Sequence, residues 1–221
     1  MKIGILGSGM VGQALGSRLL ELGYGVMIGT RDPANLQEKK GWAPSLGEWL
    51  GGGGGQVGTF AETAEFGELL INATNGLASQ GALRLAGEAN LSGKTLLDVA
   101  NELDTSQGMP PRSLATDARS LAEELQAAFP TVKLVKTLNT MSAQIMVNPG
   151  SLAGGEHTVF LSGNDAGAKA QATELLRAFG WSDIFDLGDL QSARGAEMLL
   201  PLWLSAWAKL GNVPFNFKIV R

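Results

Sequence analysis

Three glycines spaced G-x-G-x-x-G, Gly7, Gly9 and Gly12, stand between a short apolar run, Lys2 to Leu6, and a segment with one apolar helical face. That face carries Val11, Ala14, Leu15, Leu19 and Leu22. Strand, tight turn and helix in this order predict a dinucleotide-binding turn at the start of an open α/β sheet. Gly7 allows the sharp exit from the strand, Gly9 lets backbone approach a pyrophosphate, and Gly12 lets the helix lie close to the strand. The free N–H groups of Gly9, Met10 and Val11, with Ser8 in the same turn, then face the phosphates at the positive end of the helix dipole.

The same stretch bears on which nucleotide. A second strand, Gly25 to Thr30, ends about twenty residues past the glycines, where an acidic residue would hold a ribose 2′-hydroxyl. This chain has Thr30-Arg31 there. A hydroxyl beside a guanidinium suits a 2′-phosphate, so the expected cofactor is NADP(H). Asp32, next to Pro33, is read as starting a turn. Lys39 and Lys40 are two further positive charges for such a pocket.

With 221 residues the chain has room for one sizeable α/β domain and a small appendage. Its net charge is −4 and its basic residues are dispersed, which argues against nucleic acid as a partner. The absence of cysteine removes disulfides, thiol catalysis and iron–sulfur ligation, and it suits a reducing, cytoplasmic compartment. One histidine, His157, cannot make a metal site by itself. The most apolar stretch, Met198 to Ala208, is too short to span a bilayer and contains Pro201, so no membrane association is expected.

Along the chain, residues 33 to 50 read as helix or loop with Trp42, Leu46, Trp49 and Leu50 on the apolar side. The five glycines 51 to 55 read as a flexible surface turn. Further strands are expected at Val57 to Phe60, Glu68 to Thr74, Lys94 to Ala100 and Val132 to Lys136, with helices between them. This alternation predicts a doubly wound parallel Rossmann sheet over 1–137. Thr74, Asn75 and Gly76 after one strand, and Ala100 and Asn101 after the next, fall at the edge where ligands bind. Residues 104 to 115 read as an irregular loop. From 138 to 221 the pattern predicts a small C-terminal α/β domain. Its elements are strands at Thr158 to Ser162 and Ile184 to Leu187, a helix at Asp165 to Phe179 stopped by Gly180, and a last helix, Gln191 to Leu210. That helix is apolar nearly all round, so it is expected to be buried on several sides, in the ligand cleft, against a dimer partner or both, with plain core packing against the small domain as the alternative.

Reduction of a carbonyl or imine needs a proton donor, and this chain is poor in them. Tyr24 lies away from the ligand edge, which leaves Lys136 as the candidate acid. Without such an acid, two options remain: an acceptor that takes hydride directly, such as a flavin or deazaflavin ring, or a non-catalytic NADP(H) sensor.

Taken with Thr30-Arg31-Asp32, Asp98-Val99-Ala100-Asn101, Lys136-Thr137-Leu138-Asn139-Thr140, Val159 to Asp165 and Leu187-Gly188-Asp189-Leu190, the glycine motif makes the chain resemble the F420-dependent NADP oxidoreductases. These share their nucleotide-binding domain with the reductase portion of the STEAP metalloreductases. The resemblance implies a homodimer, with a cleft where NADP(H) meets F420 or a flavin face to face. It further implies that Asn139, Thr140 and Met141, with Leu200, Pro201 and Trp203 from the last helix, shape the acceptor pocket. It assigns no catalytic acid and no metal.

Overall fold

The computed structural model describes residues 1–37, 43–53, 55–211 and 213–221. Lys39, Lys40 and Trp42 lie outside the described residues. Strand β1 (Lys2–Leu6) leads through the glycine turn into α1 (Met10–Glu21), and β2 (Gly25–Thr30) returns beside β1 in parallel. The first half continues through α2 (Leu46–Gly51), β3 (Gln56–Thr59), α3 (Phe60–Phe66), β4 (Leu69–Asn72), α4 (Gly76–Ala86), the short α5 (Glu88–Leu91) and β5 (Thr95–Asp98). Capping boxes begin α2 at Ser45 and α3 at Thr59, where each hydroxyl accepts the N–H three residues on.

The expected irregular loop after β5 instead holds a small antiparallel hairpin, β6 (Leu103–Asp104) and β7 (Arg112–Ser113). Two-residue strands leave no periodicity to read in the sequence. The chain then runs through α6 (Leu121–Ala128), β8 (Lys133–Thr137), α7 (Ala143–Val147), β9 (Thr158–Gly163), α8 (Ala166–Phe179) and β10 (Asp183–Asp186) to α9 (Ala193–Met198) and α10 (Leu200–Leu210). Gly180 closes α8 in the left-handed conformation, at φ 103°.

All eight main strands form one sheet in the order β10-β9-β8-β5-β4-β1-β2-β3. Six of them are parallel and wind outward in both directions from β1 and β4, which makes the fold a Rossmann-type doubly wound sheet. Their alternating side chains feed two cores, one on each face. Ile3, Ile5 and Leu97 pack with α1 and α8; Leu6, Leu70 and Leu96 pack with α4 and α6.

The sheet is not parallel throughout: β9 runs antiparallel to β8, and β10 parallel to β9. The cause is the connection 138–157. It contains only α7 and two short 3-10 turns, so β9 starts from the edge where β8 ends instead of after a crossover. The change of strand sense, rather than a gap in the sheet, therefore falls at the 137/138 boundary. Of the glycine run, Gly54 lies outside the described residues, Gly51 to Gly53 are exposed, and Gly55 is held close to its neighbours. Gly51 ends α2, and a Cβ on Gly55 would lie 2.1 Å from the Trp49 ring. That ring is buried against Gly16, and its indole N–H donates to Ser17 Oγ at 3.0 Å.

Candidate cofactor and acceptor site

The carboxyl ends of β1, β2, β4, β5 and β8 form one edge of the sheet, and the residues just beyond them make the site. Gly7 leaves β1 at φ 123°, and a Cβ there would meet Ala73 O at 2.5 Å. A Cβ on Gly12 would lie 2.0 Å from Gly7 O, so α1 seats directly on the turn. Gly9 is different: a Cβ there would meet nothing within 4 Å. It is also the N-cap of α1, and no side chain caps that helix. An uncapped helix start beneath open space is what an anionic group needs, so these residues fit a pyrophosphate. Ser8 is buried and its carbonyl accepts from Gln13 Nε2; Val11 is half-buried, and Met10 is exposed.

At the end of β2, Thr30 is buried and Arg31 is exposed. Asp32 Oδ1 accepts the Ala34 N–H at 3.2 Å, the turn read from its neighbour Pro33. After β4, Thr74 donates to Asn72 Oδ1 and shares a hydrogen bond with Ser79. Asn75 caps α4 by accepting the Leu77 N–H at 3.0 Å, and its amide reaches Leu103 O. Gly76 is buried at this edge. Its missing Cβ makes room for the Asn101–Glu102 backbone at 2.6 Å, so it serves a backbone crossing.

After β5 and β8, two asparagines join. Asn101 Nδ2 donates to Asn139 O at 2.8 Å, and Asn139 Nδ2 donates to Asn101 Oδ1 at 3.1 Å and to Ala196 O at 3.2 Å. Leu138, with φ 61°, makes the turn that swings Asn139 into this position. Thr140 and Met141, next in the chain, are buried, as is Leu200 at the start of α10, whereas Pro201 is exposed. Trp203 is half-buried and stacked between Trp207 and Phe215, with ring centroids 6.5 and 5.3 Å away. Its indole nitrogen is buried without a partner.

Lys136 cannot act as the acid on an incoming substrate. It is 1% exposed, and its three N–H donors go to Asp98 Oδ2 at 2.8 Å, Ala100 O at 2.5 Å and Glu197 Oε1 at 3.0 Å. Burial pushes its pKa down, but the two carboxylates outweigh that and hold it above the ordinary lysine value. His157 is also committed. Nε2 lies 3.0 Å from Pro149 O, which can only accept, so Nε2 carries the proton and Nδ1 accepts from Asn216 at 2.8 Å. Glu102, mostly buried at the same edge, faces Arg119 at 3.5 Å; burial raises its carboxyl pKa and Arg119 opposes the rise.

Residues 2–102 match the family described as NADP oxidoreductase, coenzyme F420-dependent. A crystal structure of a proposed F420-dependent NADP-reductase from Arthrobacter sp. FB24 is 50% identical, covers 100% of both chains and superposes with a TM-score of 0.94. The chain belongs to the F420-dependent NADP oxidoreductase family. Metalloreductase STEAP3 of Rattus norvegicus is 31% identical over 91% of this chain, but the chain spans only 38% of that protein's length. An imine reductase from Aspergillus terreus shares the fold, at 19% identity and a TM-score of 0.63, over 95% of this chain and 62% of its own.

Within this NADP-dependent oxidoreductase family fold, four further polar residues matter at the edge: Gln13, Asn72, Asp98 and Glu197. Gln13 ties the glycine turn to the next segment, donating to Ser8 O and Pro44 O at 3.0 and 2.9 Å. Asp98 and Glu197 bind Lys136, and Asn72 binds Asp98 from the next strand. A signal was present in the sequence. Asn72 and Asp98 each close an apolar strand run, and Glu197 is a lone acid in an apolar helix. Their convergence is set by strand order, which no local pattern encodes.

Proposed function

We propose that this chain exchanges hydride between NADP(H) and a deazaflavin or flavin-type ring, with F420 as the first candidate acceptor. The observation that carries the choice of acceptor is the commitment of Lys136. With its three N–H donors bound inside the protein, Lys136 gives no proton to a carbonyl or imine. A ring that takes hydride without a protein acid suits what remains. Full-length similarity to the Arthrobacter protein supports the same reading.

NADPH, when bound, supplies the hydride. The residues of this chain bind and orient. Met10 and Val11 N–H groups, above the open Gly9, hold the pyrophosphate. Thr30 and Arg31 hold the 2′-phosphate, and Arg31 is exposed for that contact. Thr74, Asn75, Ala100 and Asn101 border the nicotinamide end. Asn139, Thr140, Met141 and Leu200 set the wall behind the acceptor, with Pro201 and Trp203 facing it. The small-molecule acceptor is the functional partner, and a second copy of the chain completes a homodimer through α10; nucleic acid and membrane have no part.

The test is NADPH consumption by purified protein offered F420, FMN and FAD separately, with NADH as parallel donor. Turnover with F420 and NADPH supports the reading. Turnover with FMN or FAD alone moves the acceptor to flavins. Tight NADPH binding without any turnover would favour a sensor.

A further inference from the structure

Asn72, Asp98 and Lys136 are cross-strand partners on the adjacent strands β4, β5 and β8. Their side chains form a row at the last rungs before the ligand edge. Asn72 Nδ2 donates to Asp98 Oδ1 at 2.7 Å, and Lys136 Nζ donates to Asp98 Oδ2 at 2.8 Å. Ser79 on α4 extends the row at one end, accepting from Asn72 Nδ2 at 2.9 Å. Glu197 on α9 extends it at the other, 3.0 Å from Lys136 Nζ. Its carboxylate also accepts the N–H groups of Leu121 and Ala122 at the start of α6, at 2.8 and 3.2 Å. Every member of the row is buried.

Buried charges of this kind add little stability over well-packed apolar side chains, because desolvation offsets most of their attraction. Their particular property is geometric, since a satisfied hydrogen-bond network holds one arrangement. The remaining bonds show which arrangement is held. Lys136 binds the Ala100 carbonyl, Asp98 accepts the Ala100 N–H at 3.3 Å, and Asn72 Oδ1 accepts the Thr74 N–H at 3.3 Å. Glu197 fixes α9, whose Ala196 carbonyl receives Asn139 Nδ2. Asn101 and Asn139 are thus each reached from the row, one through β5 and one through α9.

We propose that the row Asn72–Asp98–Lys136–Glu197 is a positioning device that sets the Asn101–Asn139 pair for hydride transfer, with Lys136 as its centre. The proposal rests on the hydride-exchange reading above. Residues that grip phosphate in that reading, at the start of α1 and at Arg31, make no contact in the row. Disturbing the row should therefore spare affinity and slow transfer, for which a misplacement of about 1 Å can cost about a hundredfold.

The test compares Glu197→Gln, which keeps an acceptor for α6, with Asp98→Asn, which acts from the strand side and leaves α6 untouched. Thermal unfolding, NADPH affinity, the emission of bound NADPH and kcat with the acceptor are measured for each. The expected result, in at least one folded variant, is NADPH affinity within about threefold of the unaltered chain and kcat lowered at least about tenfold. Emission of bound NADPH should also shift toward that of the free cofactor. Unchanged kcat and emission in folded variants would overturn the proposal. So would a parallel fall of affinity and kcat, or loss of the fold in both variants, since the row would then serve stability alone. Failure of the unaltered chain to bind NADPH would instead refute the hydride-exchange reading, while the emission readout needs no active acceptor.

Discussion

At the scale of single residues, two glycines of one motif should respond oppositely to the same methyl group. Gly12→Ala places a Cβ 2.0 Å from Gly7 O, where only backbone can yield. Thermal unfolding should show a loss of about 2–3 kcal/mol. Gly9→Ala meets nothing within 4 Å, so the melting temperature should stay close to that of the unaltered chain. NADPH affinity should nevertheless fall about tenfold or more, because the methyl occupies the approach of the pyrophosphate. Arg31→Ala addresses the other end of the nucleotide. Loss of a charge-assisted contact should weaken NADPH by about 1.5–3 kcal/mol, ten- to a hundredfold, and leave NADH almost unchanged. Equal losses for both in a calorimetric titration would remove the 2′-phosphate role from Arg31.

At the scale of elements, α9 is fastened to α6 twice. Glu197 supplies the buried contact, and Arg194 forms a bidentate pair with Glu123 at 2.7 and 2.6 Å. The Arg194 hydrogen bonds, with help from Ser120, hold the Glu123 carboxyl down to about 2, against 4.5 for an ordinary glutamate. A carboxyl depressed in the folded state contributes stability above its unfolded value and loses it as pH falls through the folded one. The pair should therefore stabilise fully above about pH 4.5 and fade between there and about pH 2. Arg194→Met should cost about 1.5 kcal/mol at neutral pH, the low end for a partly exposed charged pair. It should also move acid unfolding, followed by circular dichroism, to higher pH.

At the scale of the whole molecule, the last helix departs most from its sequence. Gln191 to Leu210 reads as one unbroken helix, buried on several sides in the ligand cleft, against a dimer partner or both. The chain instead makes a 3-10 turn, then α9 and α10 meeting at Leu199, and only Leu200 and Leu204 are buried on α10. Met198, Leu202 and Leu210 remain 44%, 56% and 45% exposed. An apolar face left open by its own chain supports the proposed homodimer. Sedimentation should show a dimer at micromolar concentration, and Leu202→Lys should shift it toward monomer. A dimer unaffected by Leu202→Lys would place the interface elsewhere. Among the described residues, no helix is long and apolar enough to cross a membrane.

The sequence alone determined the first half of this protein. A glycine turn admits one backbone path, and apolar runs of strand and helix length can wind a sheet in few ways, so β1 to β5 and β8 were readable in order. Asp32 as a turn residue and Gly180 as a helix stop were equally legible, because turns and caps depend on near neighbours. Tertiary structure decided what long-range partners control. The sense of β9 depends on where the connection 138–157 leaves the chain, and the exposure of α10 on what remains to cover it. The role of Lys136 followed the same rule. As a residue type at a strand end it resembles an acid, and only the arrival of Asp98 and Glu197, from 38 and 61 positions away, turns it into a buried tie.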